Sequence, residues 1–140
     1  MLLSTTSHAG NENSDYTNYG DNSLSGSNSS GAINNTAIGQ GAMSNNLTHA
    51  ADGNTAVGYR TLYTTTTGSY NVAVGKGALY SNTTGSYNSA IGNGALYANT
   101  TGIGNIASGV SALARNTTGS YNLASGSAAL FNNTTGDYNI

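Results

Sequence analysis

The 140-residue chain has no cysteine, no proline and no tryptophan, and only three basic and five acidic residues. Without cysteine, no disulfide supports the fold, although this absence leaves the compartment open. Charged residues make up 6% of the chain, against roughly a quarter in an ordinary globular domain. With three basic residues and a net charge of −2, the chain lacks the clustered lysine and arginine that a phosphate-backbone partner demands, so nucleic acid is excluded as a partner. No apolar run approaches the eighteen or so residues of a membrane-spanning helix, and insertion by this segment is not expected. Met1-Leu2-Leu3 is apolar, but no basic stretch or long apolar region follows in the manner of a signal peptide.

What fills the space is repetition. Aligned on asparagine, units start at Asn35, Asn54, Asn71, Asn88, Asn105, Asn122 and Asn139. Every spacing is seventeen residues except the first, which is nineteen. Each unit reads approximately N-x-A-(I/V)-G-x-x-A-L-(Y)-x-N-T-T-G-S-Y, with its asparagine as phase one. So short a period cannot hold a helical hairpin or a propeller blade, which need roughly thirty to fifty residues. It suits one coil of a parallel β-solenoid, an all-β fold whose rungs stack about 4.8 Å apart. Stacking also accounts for the missing charge. Each phase becomes a column of side chains, like charges in such a column repel, and uncharged or aromatic residues do not. Arg60, Lys76 and Arg115 fall at three different phases.

The array divides the chain into an irregular segment, residues 1–34, and a repeat region, residues 35–140. Within the first, a degenerate rung is expected from about Thr17 to Asn34, where Asn28-Ser29-Ser30-Gly31 stands for the later N-T-T-G. The two extra residues of the first unit fall in His49-Ala50-Ala51-Asp52-Gly53, a lengthened corner.

Phase three is always alanine (Ala37, Ala56, Ala73, Ala90, Ala107, Ala124), phase five always glycine, and phase nine a methionine and then leucines. Side chains alternate along a strand, so phases two and four share a face and phase three points the other way. Phase four is Ile38, Val57, Val74 and Ile91, then Ser108 and Ser125, and in those last two units phase two becomes Ile106 and Leu123. One apolar residue is thereby kept on that face in every rung, which assigns it to the interior against the phase-nine leucine. The alanine column is then an outer face, and its small size marks close approach of another backbone. Burial energetics agree: a large apolar side chain contributes about 1.5–3 kcal/mol, whereas ordering each residue costs roughly 1–2 kcal/mol. So thin a coil calls for association, and the six alanines are the expected oligomer interface, making a homotrimer or polymer. Glycine at phase five permits a sharp turn or a positive φ. N-T-T-G forms a second corner, where asparagine bonds its own backbone and glycine takes a left-handed conformation.

The core Asn71-Val72-Ala73-Val74-Gly75, repeated as Asn88-Ser89-Ala90-Ile91-Gly92, resembles the N-S-V-A-I-G repeat of YadA-like heads in trimeric autotransporter adhesins. The longer unit Gly-Ala-Leu-Tyr-x-Asn-Thr-Thr-Gly is similar to repeats of phage tail-fibre and related bacterial fibre proteins. The resemblance covers Asn35 to Ile140, about three quarters of the chain, although the units here are longer than those of the heads. It implies a left-handed β-roll, three chains side by side, in an extracellular or cell-surface adhesive fibre or a phage tail fibre.

Chemistry has little to work with. From Asn54 onward the array holds one acid, Asp137, and neither histidine nor cysteine, so no general acid–base set, metal site or cofactor site is expected. His49 with Asp52 is the one titratable pair, and it reads as a solvated loop. Gly102-Ile103-Gly104-Asn105-Ile106-Ala107 matches a loose dinucleotide fingerprint, but it lies in register with the repeat and opens no helix. Asn82, Asn99, Asn116 and Asn133, each followed by Thr-Thr, carry the acceptor pattern for N-glycosylation and equally fit a corner ladder of asparagines. Tyr63, Tyr80 and Tyr97, with Phe131, form one aromatic column, and Tyr70, Tyr87, Tyr121 and Tyr138 another. Stacking between rungs accounts for both, and an exposed stripe could also bind a surface glycan, a host surface or a neighbouring fibre. The sequence therefore points to a non-enzymatic, self-associating structural or adhesive fibre protein, head or shaft, able to stack end to end into filaments. The alternative is an ice-binding solenoid using its threonine columns, disfavoured because adjacent threonines before a glycine lie at a bend.

Overall fold

The computed structural model describes residues 16–19, 32, 34–44 and 51–140, the first of these stretches by its backbone alone. Seven parallel strands form one sheet in chain order: β1 (Tyr16–Tyr19), β2 (Asn35–Ile38), β3 (Thr55–Val57), β4 (Val72–Val74), β5 (Ser89–Ile91), β6 (Ile106–Ser108) and β7 (Leu123–Ser125). Registers follow the repeat, with Ala56 opposite Ala73, Ala73 opposite Ala90 and Ala90 opposite Ala107. The fold is the β-solenoid expected from the seventeen-residue period. β1 extends the sheet into the irregular segment, pairing Tyr16 with Asn35. Apart from Ala32 and Asn34, the rest of that segment, with its Asn28–Gly31 corner, lies outside the described residues, as does His49.

The interior is the reverse of the one expected from apolarity. Ala37, Ala56, Ala73, Ala90, Ala107 and Ala124 are buried inside a single chain, each at most 1% exposed, so no second chain can touch them. The alanine column is core, and it is not an oligomer interface. It packs with Ala78, Ala95 and Ala112 of phase eight and with Met43, Leu62, Leu79, Leu96 and Leu113 of phase nine. Ile38, Val72, Ile91, Ile106 and Leu123 point outward instead. The reason is space. A coil of seventeen residues encloses one leucine per rung, two methyl groups and two asparagine amides, and nothing larger fits opposite the leucine at interior packing density.

Two asparagine columns occupy the rest of the interior. Asn54, Asn71, Asn88, Asn105 and Asn122 are buried at phase one, and Asn82, Asn99 and Asn116 at phase twelve. Each phase-one side chain accepts from the next rung's backbone and side-chain N–H groups, as Asn88 does from Asn105 at 2.9 and 3.1 Å. Its own amide donates to a phase-fifteen carbonyl, Gly102 in the case of Asn88. Buried polar groups are costly unless bonded, and here they are bonded rung by rung.

The corners are tight. Gly75 takes φ +120°, and a Cβ there would lie 2.7 Å from the Gly92 carbonyl. The phase-nine residues Leu62, Leu79, Leu96 and Leu113 all have φ between 47° and 51°, a left-handed conformation unexpected for leucine. Burying the side chain offsets a backbone cost of about 1–2 kcal/mol. At the N-T-T-G corner the left-handed residue is not the glycine but the following tyrosine, with Tyr70 at φ 57° and Tyr87 at φ 61°. Gly85 is required there for a different reason, since a Cβ would meet the Gly102 carbonyl oxygen and the Asn82 and Asn99 amides.

Candidate functional site

With its alanines turned inward, the sheet presents phases two and four to solvent. Threonine, valine and isoleucine favour these positions because β-branched side chains suit a pleated, half-exposed surface. Val72 is 40% exposed, Ile91 and Ile106 are 49% exposed each, and Leu123 is 40% exposed. No residue at phases two or four, from Thr36 to Ser125, carries a charge. Where phase four becomes Ser108 and Ser125, Ile106 and Leu123 restore the apolar residue from phase two. Six rungs at about 4.8 Å make a strip about 24 Å long and, at roughly 3.3 Å per residue, some 10 Å wide. That is about 240 Å², apolar and hydroxyl side chains together, within the few hundred Å² of the largest patch on an ordinary monomer, a patch that is often functional.

Two aromatic columns also run from rung to rung. Tyr63, Tyr80 and Tyr97 stack at 5.2 and 4.9 Å between centroids, nearly parallel. Tyr70 stacks on Tyr87 at 5.3 Å and Tyr121 on Tyr138 at 5.2 Å. Gly104 replaces the tyrosine between these two pairs. The second column is well exposed, Tyr87 by 65% and Tyr138 by 75%, whereas Tyr63 and Tyr80 are half-buried. Stacked rings cover one another's faces, so it is mainly edges and hydroxyls that meet solvent.

The glycosylation pattern meets a different fate. Asn82, Asn99 and Asn116 are fully buried, and the Asn99 amide donates to Asn82 Oδ1 at 2.9 Å and to the Gly102 carbonyl at 3.1 Å. Asn133 is partly buried and makes the same pair of bonds, to Asn116 and Gly136. At all four the nitrogen a glycan would occupy is committed to the ladder, and at Asn82, Asn99 and Asn116 its burial leaves no room for one. Of each threonine pair, the first hydroxyl donates to the next rung's backbone, as Thr83 does to Thr100 and Thr100 to Thr117. The second threonines, among them Thr84 and Thr101, are exposed.

Among the described residues no group of three or more His, Cys, Asp or Glu side chains could hold a metal ion. No helix among them is long and apolar enough to cross a membrane. The Gly102–Ala107 match runs through a corner into β6 and opens no helix. The outward strand face was missed as a site because its apolar residues were assigned to the core. The signal for it was variability, since phases two and four accept Thr, Val, Ser, Ile and Leu while phases one and three accept one residue each. Comparison with family models, curated proteins and solved structures returns no match.

Proposed function

We propose that this chain is a non-enzymatic structural element of an extracellular or cell-surface fibre, head or shaft, and that copies associate side by side through the outward face of the strands. One observation carries this reading: an uncharged, solvent-facing sheet that keeps one apolar residue in every rung although the coil's own core does not use it. Water exacts a cost for such a face, and an isolated coil gains nothing from restoring the apolar residue when phase four turns to serine. A second copy supplies the matching surface, because it has the same axial period and the same absence of charge. Three copies around a common axis would bury the strips together, which agrees with the trimer that the resemblance to YadA-like heads implies. The adhesive role follows from that resemblance and from the exposed aromatic edges. Ice binding is less well supported, since the first hydroxyl of each threonine pair is spent on a neighbouring carbonyl.

Light scattering on the purified chain tests the reading, together with a variant carrying Val57→Glu and Ile91→Glu, which lie two rungs apart in the same column and so are not direct neighbours. The wild-type chain is expected to run as a trimer or larger assembly, and the variant as a folded monomer with the same circular dichroism. A wild-type monomer at high micromolar concentration overturns the proposal.

A further inference from the structure

Two of the chain's three basic residues meet at one aromatic ring. The Arg60 guanidinium carbon lies 5.2 Å from the Tyr59 ring centroid and 5.3 Å from that of Tyr63. Lys76, one rung on and in the same column as Tyr59, brings its Nζ to 5.9 Å from the Tyr59 ring. Tyr59, Arg60 and Lys76 are all exposed. Among the described residues neither cation has a carboxylate partner. Asp137 instead accepts from the Ser120 backbone N–H, several rungs away. The third cation, Arg115, is placed apart, over Phe131 and donating to Asn132 Oδ1 at 3.2 Å.

The local backbone does not ask for this arrangement. Arg60 stands at phase seven, left-handed with φ 51°, where the other rungs place Gly41, Gly77, Gly94, Ser111 and Ala128. A long side chain there serves no coil contact that those rungs need. Two like charges around one ring repel, and an anion beside them would relieve the repulsion while each cation keeps its ring contact. Above and below in the phase-six column stand the exposed Gln40 and Asn93, whose amides offer donors and acceptors at the same corner.

We infer that Tyr59, Arg60, Tyr63 and Lys76 form a binding site for an acidic saccharide, a sugar bearing carboxylate or sulfate. The guanidinium fork takes the anionic group in bidentate fashion, the ammonium adds a second charge, and the tyrosine edges and flanking amides meet the pyranose ring and its hydroxyls. Two cations are far too few for a nucleic-acid track, which makes about six to ten phosphate contacts. The inference gives the adhesive side of the proposed function a ligand class and rests on that reading only to that extent.

The experiment is calorimetric titration of the full chain with dextran sulfate oligosaccharides, with oligogalacturonate as the carboxylate arm and neutral dextran as control. Arg60→Gly and Lys76→Asn install residues that other rungs hold at the same phases, so the fold is expected to survive, with melting temperature as the check. Each is expected to weaken binding of the acidic sugars about tenfold, and the pair to reduce it to the neutral level. Arg115→Ala, which likewise removes one charge and matches Ala98, is expected to leave binding unchanged. The inference fails if acidic and neutral sugars bind alike, if the double variant binds as the wild type does, or if Arg115→Ala costs as much as Arg60→Gly. It also fails if oligouridylate binds more tightly than the sulfated sugar. Molar mass measured on the same samples separates this from self-association, since lost binding with intact assembly overturns the saccharide site alone.

Discussion

Asn71 Oδ1 accepts both the backbone N–H and the side-chain amide of Asn88, one coil further on, at 3.0 and 3.2 Å. The same bond pair recurs from Asn88 to Asn105 and from Asn105 to Asn122, so each asparagine is acceptor to one neighbour and donor to the other. Replacing Asn88 by alanine would remove the acceptor for a buried Asn105 N–H and the donor to Asn71 at once. A buried group left unbonded costs about 1–3 kcal/mol, so Asn88→Ala is expected to destabilise by about 2–4 kcal/mol. Urea denaturation followed by circular dichroism would show this, and a shift under about 1 kcal/mol would mean that the ladder contributes little.

The phase-twelve ladder has a fault. Thr65 stands where later rungs carry Asn82, Asn99 and Asn116, and its buried hydroxyl oxygen has no hydrogen-bond partner. The Gly68 carbonyl accepts from Asn54 alone, whereas the equivalent Gly85 carbonyl accepts from both Asn71 and Asn82. An asparagine at 65 would find both ends of its bonding set waiting: the Gly68 carbonyl as acceptor and the second Asn82 amide hydrogen as donor. Thr65→Asn is therefore expected to raise stability by about 1 kcal/mol. A thermal melt of the purified variant checks the sign, and a lowered midpoint would contradict the ladder geometry.

How much of this could be read in the residues divides along physical lines. The period, the parallel stacking, the turn at Gly75 and the burial of Leu79 all follow from repetition and from local conformational rules. The direction of Ala73 and Val74 did not follow, because ranking by hydrophobicity places valine inside and alanine outside. Hydrophobicity sets what would gain from burial, and the coil's cross-section sets what can be buried. Here the second wins, and the two faces exchange roles. The sequons at Asn82 and Asn99 misled for a related reason: the acceptor pattern is a surface motif only where its asparagine is on the surface. The meeting of Arg60 and Lys76 at Tyr59 was hidden by their different phases, since long side chains from phases six and seven converge across a rung.

The glycines separate into two kinds that a single substitution distinguishes. Gly75 has φ +120°, a region closed to other residues, and a Cβ would lie 2.7 Å from the Gly92 carbonyl carbon and oxygen. Gly77 has φ +66°, and its added Cβ would come no nearer than 3.3 Å to the Tyr97 ring edge. Ala128 already occupies the Gly77 phase with φ 56°. Gly75→Ala is expected to cost more than about 3 kcal/mol, combining strain with a backbone clash, whereas Gly77→Ala should cost about 1 kcal/mol. Equal midpoints in denaturant for the two variants would show that the phase-five corners do not stack backbone against backbone.

Ala90 and Ile91 are adjacent in the chain and are expected to respond in opposite ways. Ala90 is fully buried between Ala73 and Ala107 in register, so Ala90→Leu forces three further carbons into a filled coil. Overpacking of this kind costs about 1–3 kcal/mol and more where the neighbours cannot retreat, as they cannot between stacked backbones. Ile91 is 49% exposed and lies at the phase where Ser108 and Ser125 stand in later rungs. Ile91→Ser should leave the stability of the single chain within about 0.5 kcal/mol, since it touches no core contact. Its effect is expected in molar mass, by weakening the assembly through the outward face. If Ile91→Ser instead unfolds the chain while Ala90→Leu is tolerated, the interior belongs to the branched residues after all, and association through the outward face falls with it.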